Sequence, residues 1–136
     1  MNFIKIASIS AAIAVILGAF GAHALKDLLS PDLLEAWRTA VAYQIYHALA
    51  LLIVGFLSLH PIFEGSRALV RSAYAFIVGS VFFSGSIYAL CLSRLYDLPT
   101  VAKVAGPITP MGGVFFILGW LMLFLAMPKK NVTRNS

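Results

Sequence analysis

Polar positions are sparse along this chain and fall in bunches, leaving four apolar runs at residues 4–25, 40–59, 69–92 and 110–127. Lys5 and small hydroxyls are the only interruptions of the first, and Arg71 stands near the start of the third. Crossing a hydrocarbon core of roughly 30 Å takes about 20 helical residues. The fourth run, 18 residues long, would reach about 27 Å at 1.5 Å per residue. Punctuation sharpens the limits. Ser30-Pro31 reads as an N-cap followed by an N1 proline, so the second helix is expected to begin near residue 31, ahead of its apolar part. Its first turns carry Leu33, Leu34, Trp37 and Val41 at helical spacing, an interfacial entry with a Trp anchor. His60-Pro61 closes that helix, with His60 expected as an interfacial cap, because the residue before proline avoids the helical region. Thr109-Pro110 repeats the N-cap and N1 pattern and predicts the start of the fourth helix. The pattern predicts one all-α domain over residues 1–136, an integral membrane four-helix bundle of left-handed supercoil.

Composition strengthens this picture. The chain has 136 residues, 61% hydrophobic and 11% charged, against roughly 25% charged in a soluble domain. Its net charge of +5 is spread between apolar runs and not gathered into a face, so nucleic acid is not an expected partner. Lys129, Lys130 and Arg134 form the one basic cluster and would meet anionic headgroups. Membrane lipids are the expected partners, with other membrane proteins or further copies of the chain left open. The single Cys91 excludes an intrachain disulfide and a cysteine metal cluster; inside an apolar run it reads as a small hydrophobe. Ala22-His23-Ala24 resembles a signal-peptidase site, yet the apolar run around it is long enough to span, and it is read as a membrane helix. With four spans, Lys5, Arg67, Arg71, Lys129, Lys130 and Arg134 share one side, while Lys26, Arg38, Arg94 and Lys103 share the other. The excess predicts both termini in the cytoplasm, N-in and C-in.

That topology brings the polar and small residues together. The outer half of the bundle would hold Gly18, Gly21, Ala22 and His23 from the first span and Tyr43, Gln44 and His47 from the second. It would also hold Ser84, Gly85, Ser86 and Tyr88 from the third, and Thr109, Pro110, Gly112 and Gly113 from the fourth. One reading is packing. Ala14, Gly18 and Ala22 recur every four residues as a small-residue ridge, Gly85, Gly112 and Gly113 would serve the other helices, and the polar groups would tie helices together. The other reading is a site. Intramembrane ionisable groups invite it, Tyr43, Gln44 and His47 share a helix face, and free N–H groups at Thr109-Pro110 would suit an anionic or carbonyl group. The candidate ligand residues are His23, Tyr43, Gln44, His47, Ser84, Ser86 and Thr109. No cofactor is specified. His23 and His47 on facing helices could ligate haem, but no metal-binding spacing accompanies them. No carboxylate lies inside a span to orient a Ser–His pair or supply paired-acid chemistry. Trp120 and Phe115-Phe116 read as lipid-facing or packing residues. A non-enzymatic accessory or assembly subunit, or a binder of a lipid or quinone, is the leading expectation; an oligomeric carrier or channel and a membrane haem protein or enzyme using His23 and His47 are the alternatives.

The stretches "GAFGAHAL", "AWRTAVAYQIYHALALL", "FSGSIY" and "GPITPMGGVFFILGW" resemble the YgdD-like small inner-membrane proteins, domain-of-unknown-function family 423, with transmembrane protein 256 as the eukaryotic relative. The resemblance runs from about Ile6 to Met127 and shows no departure at His23, Trp37, Tyr43, Gln44, His47, Ser86, Pro110 or Gly113. It implies a four-span protein of bacterial inner membranes and brings no established activity, cofactor or catalytic residue.

Overall fold

The computed structural model describes residues 2–128, so Lys129, Lys130 and Arg134 lie outside the described residues. Four helices are long and apolar enough to cross a membrane: α1 (Phe3–His23), α2 (Pro31–Leu57), α3 (Arg67–Leu95) and α4 (Pro99–Ala126). Asn2 caps α1 by accepting from the Lys5 N–H. Pro31 takes the N1 position of α2, where its missing N–H costs nothing. A 3-10 turn, Pro61–Phe63, links α2 to α3; α2 ends earlier than expected, at Leu57 with Ser58 as its C-cap, and the His60 ring instead caps the start of the turn by accepting from the Ile62 N–H at 3.2 Å. Ser66 caps α3 through Leu69 N–H.

Two helices differ from their expected form. α3 is interrupted by a π-helical turn, Val81–Gly85. Such turns insert one residue into the helical register. The fourth helix starts eleven residues before the expected Thr109-Pro110, at Pro99, which occupies the first turn after Asp97 reverses the chain at a φ of 52°. Pro107 and Pro110 therefore lie inside α4. They remove the backbone bonds to the Lys103 and Gly106 carbonyls. A membrane helix tolerates such interior prolines; between the two, Thr109 Oγ1 bonds back to the Ala105 carbonyl at 3.2 Å. The correction removes the free N–H groups expected at Thr109, since that residue sits mid-helix.

α1 packs on α2, α3 packs on α2, and α4 packs along α3. Sequence-adjacent helices run antiparallel, so α2 and α4 are parallel. Two apolar cores result. One gathers Phe3, Val54, Leu69, Phe76 and Phe116; the other gathers Leu25, Leu29, Leu34, Trp37, Ile87 and Cys91. Between these levels α2 carries Gln44 and His47, both buried. This is the polar layer of the protein.

The α3–α4 contact has a reciprocal geometry. Phe116 lies over Gly79, where a Cβ would come within 2.5 Å of its ring, and Phe76 lies over Gly119, where a Cβ would come within 2.6 Å. Both phenylalanines precede their own helix's glycine by three residues, so "F-x-x-G" on two antiparallel helices makes two interlocked layers. Gly112 meets the backbone of Phe82 and Phe83 directly, at the π-turn. On the α1–α2 contact, Gly21 receives the Trp37 indole, Gly55 receives Ile4, and Gly18 would meet Val41 at 3.3 Å. Ala14 is fully buried. Ala22 is exposed, and a Cβ on Gly85 would meet nothing within 4 Å, so neither belongs to the packing set; Gly113 has only Phe83 at 4.0 Å. The small-residue period identified Ala14 and Gly18 but could not tell which other small residues face a helix and which face lipid.

Candidate functional site

Gln44 is the centre of a three-helix link. Its Nε2 donates to the Ser10 carbonyl of α1 at 3.1 Å, and its Oε1 accepts from the Tyr88 hydroxyl of α3 at 2.9 Å. Tyr88 in turn leans on Trp37, ring centroids 4.6 Å apart, and the Trp37 indole donates to the Leu17 carbonyl at 2.9 Å. A primary amide suits this place because it offers a donor and an acceptor in opposite directions.

His47 holds a second link, to α4. Its Nδ1 lies 2.8 Å from the Tyr43 carbonyl, and the Trp120 indole N–H donates to its Nε2 at 3.3 Å. The carbonyl can only accept and the indole can only donate, so the pair selects the tautomer with the proton on Nδ1. The ring also stacks on Phe116, centroids 3.4 Å apart and planes within 7°. Both nitrogens are thus engaged by the protein itself. Trp120 and Phe116 are more than lipid-facing fillers: they hold the one buried imidazole.

The serines form further ties. Ser84 donates to the Ala40 carbonyl at 2.8 Å, Ser72 to the Gly119 carbonyl at 2.8 Å, and Ser86 meets Thr109 Oγ1 at 2.7 Å. The Cys91 thiol donates to the Leu33 carbonyl at 3.3 Å. Among the described residues no buried side-chain nitrogen or oxygen lacks a partner. Of the seven candidate ligand residues, the structure brings Tyr43, Gln44 and His47 to one layer, with Ser84, Ser86 and Thr109 along the α3 contacts. It does not bring His23 there. His23 is the exposed last residue of α1, near the level where Gly21 meets Trp37; His47 lies ten residues beyond Trp37, about 15 Å farther along α2. The bis-histidine haem geometry on facing helices is therefore not formed. Among the described residues no three His, Cys, Asp or Glu gather into a metal-binding group.

Two clefts flank His47. The first, of about 430 Å³, runs between α1 and α3 over α2. Ile6, Ile9, Ile13 and Leu17 form its α1 wall, Ile77, Val81 and Gly85 its α3 wall, and Gln44 and Tyr88 place a polar pair midway along it, at the level of the Ser10 carbonyl. The second, of about 620 Å³, opens between α2 and α4 and is lined by Tyr43, Tyr46, Phe83, Pro110, Phe116 and Trp120 among others. Trp120 could have been suspected from sequence, since an indole deep within a span is out of place relative to the interfacial belt. The π-turn and the paired "F-x-x-G" layers carry no such flag on a single helix.

The same stretches decide the kinship. The model of the family described as "Protein of unknown function (DUF423)" matches residues 17–113, which covers α1's end, all of α2 and α3, and α4 through Gly113. The chain belongs to the DUF423 family. Relatives of this DUF423 protein match nearly end to end. A UPF0382 membrane protein of Staphylococcus aureus is 43% identical over 126 residues, 91% of this chain and 93% of that one. UPF0382 membrane protein YwdK of Bacillus subtilis is 39% identical over 127 residues, 93% and 96% of the two chains. A UPF0382 membrane protein of Schizosaccharomyces pombe is 37% identical over 126 residues, 92% of this chain and 100% of that one. No solved structure matches significantly. The protein is thus a small multi-pass integral membrane protein, and kinship extends to a eukaryote.

Proposed function

We propose that this DUF423 protein is a lipid-binding accessory protein of the bacterial inner membrane, holding one amphiphile in the α1–α3 cleft. The observation that supports it is the cleft's composition. Its walls are branched aliphatic side chains along roughly 16 Å of α1, from Ile6 to Leu17, and the Gln44–Tyr88 pair stands midway along them as the polar point. The volume falls within the usual range for small-molecule sites, which are mostly apolar with few placed polar groups. Gly85 exposes backbone of the π-turn to that space, because nothing stands where its Cβ would be. π-turns recur at functional sites. A single acyl or isoprenoid chain would lie along the isoleucine wall with an acceptor oxygen beside the second N–H of Gln44 Nε2, since the Tyr88 proton is already given to Gln44. The basic excess flanking the α1 N-terminus and the α2–α3 turn favours both termini in the cytoplasm.

The test is lipid retention. Protein purified in mild detergent and examined by native mass spectrometry is expected to carry a lipid adduct. Gly85→Leu places a side chain in open space and is expected to lose that adduct while unfolding at the same temperature as the parent. Equal retention in both proteins would refute the site. A C-terminal reporter reached only from outside the cell would refute the orientation.

A further inference from the structure

The α2–α4 cleft contains a polar anomaly that the packing ties do not absorb. Tyr43 and Tyr46 are 40% and 59% exposed, and neither hydroxyl has a hydrogen-bond partner among the described residues. They stand 12 and 15 residues into the 27-residue α2, near its midpoint. Tyrosines of membrane proteins belong at the interfaces, where ring meets hydrocarbon and hydroxyl meets water. Inside the apolar run 40–59, lipid tails offer no acceptor, and an unpaired hydroxyl there is costly. Among the described residues every buried side-chain nitrogen or oxygen is paired, and these two hydroxyls are exposed to the cleft instead.

The walls around these hydroxyls are aromatic. Tyr43 stacks on Phe83 with centroids 4.7 Å apart and lies 6.2 Å from both Tyr46 and Phe116. Trp120, 48% exposed, and Pro110 with Gly113 complete the cleft on the α4 side. His47 offers nothing more, since both its nitrogens are taken. A ligand here is met by flat apolar faces and two phenol donors. Aromatic faces favour offset or edge-on contact with a planar ring, and phenol donors ask for oxygen acceptors. From this cleft we infer a binding site for a planar ring bearing carbonyl oxygens, a quinone headgroup, with Tyr43 and Tyr46 donating to it. This site is separate from the α1–α3 cleft and does not depend on it.

The experiment uses the full chain in detergent micelles and a decyl-tailed benzoquinone as probe. Equilibrium dialysis is expected to show saturable binding, accompanied by quenching of tryptophan emission. The double variant Tyr43→Phe/Tyr46→Phe removes both donors and is expected to bind at least about 10-fold more weakly. It is expected to unfold at the parent's temperature, because the lost hydroxyls had no protein partner. Gly113→Leu fills the cleft from α4 and is expected to abolish saturable binding. Gly85→Leu, in the other cleft, is expected to bind as the parent does, so lipid loss there and quinone binding here are read independently. The inference is overturned by unsaturable partitioning of the probe into the parent protein, by parent-like affinity in the tyrosine double variant, or by loss of binding in Gly85→Leu alone.

Discussion

Gly112 and Gly113 are neighbours in one helix, and the structure assigns them opposite tolerance for a methyl group. A Cβ on Gly112 would lie 2.7 Å from the Phe82 carbonyl carbon and from Phe83 Cα, and closer still to Phe83 N, whereas ordinary contact begins near 3.4 Å. The obstacles are backbone atoms, which cannot turn aside as a side chain can. α3 and α4 would have to part by at least about 0.7 Å at this level. The interlocked Phe76–Gly119 and Phe116–Gly79 layers lie just below and would open with them. Overpacking a well-packed contact costs about 1–3 kcal/mol, and a backbone obstacle points to the upper end. Gly112→Ala is therefore expected to cost about 3 kcal/mol, on the order of 100-fold in the folding equilibrium. Gly113→Ala meets only Phe83 Cδ2 at 4.0 Å. Its helix-propensity gain is small because detergent-unfolded membrane helices stay helical, so its effect should stay within about 0.5 kcal/mol. Unfolding both variants by sodium dodecyl sulfate titration from nonionic micelles, followed by tryptophan emission, reads the difference. Equal stabilities for the two variants would refute the backbone contact.

Two further outcomes follow from the polar layer. In a Gln44→Leu and Tyr88→Phe double-mutant cycle the side chains should couple by about 0.5–1.5 kcal/mol, the range of interhelical hydrogen bonds in membranes; additive losses would remove the three-helix link. His47→Ala should cost about 2–4 kcal/mol, losing the Phe116 stack and leaving the Trp120 N–H without its acceptor, while exposed His23→Ala should stay within about 0.5 kcal/mol. The reverse ranking in the same unfolding titration would show that the wrong imidazole has been placed in the core.

Four spans were legible in the sequence because lipid imposes one rule, about 20 apolar residues, that single runs satisfy on their own. Spacing brought Tyr43, Gln44 and His47 to one level of α2 but not to one face, since Gln44 turns to the α1–α3 cleft, Tyr43 to the α2–α4 cleft, and only His47 borders both. The start of α4 was misread because Thr109-Pro110 and Leu98-Pro99 both fit an N1 proline, and only the tertiary setting shows that Ser86 and Ala105 engage Thr109 mid-helix. His23 was set beside His47 on the strength of a shared half of the membrane, which fixes neither depth nor direction. Gly85 was grouped with the packing glycines because an open cleft and a helix contact both admit a glycine. Gly79 and Gly119 went unnoticed because each has meaning only opposite a phenylalanine on the other helix.

Most of the interhelical ties end on a main-chain carbonyl: Trp37 on Leu17, Gln44 on Ser10, Ser72 on Gly119, Ser84 on Ala40, Cys91 on Leu33. Every residue supplies such an acceptor, whatever its side chain. The donor positions are therefore constrained in identity while their acceptors are free to drift, subject only to fit. Substitution at an acceptor leaves no compensating change at its donor, so pairwise covariation across the family would register these links faintly or not at all. Gln44–Tyr88, Ser86–Thr109 and His47–Trp120, joined side chain to side chain, are the places where the fold's history would be written in correlated pairs.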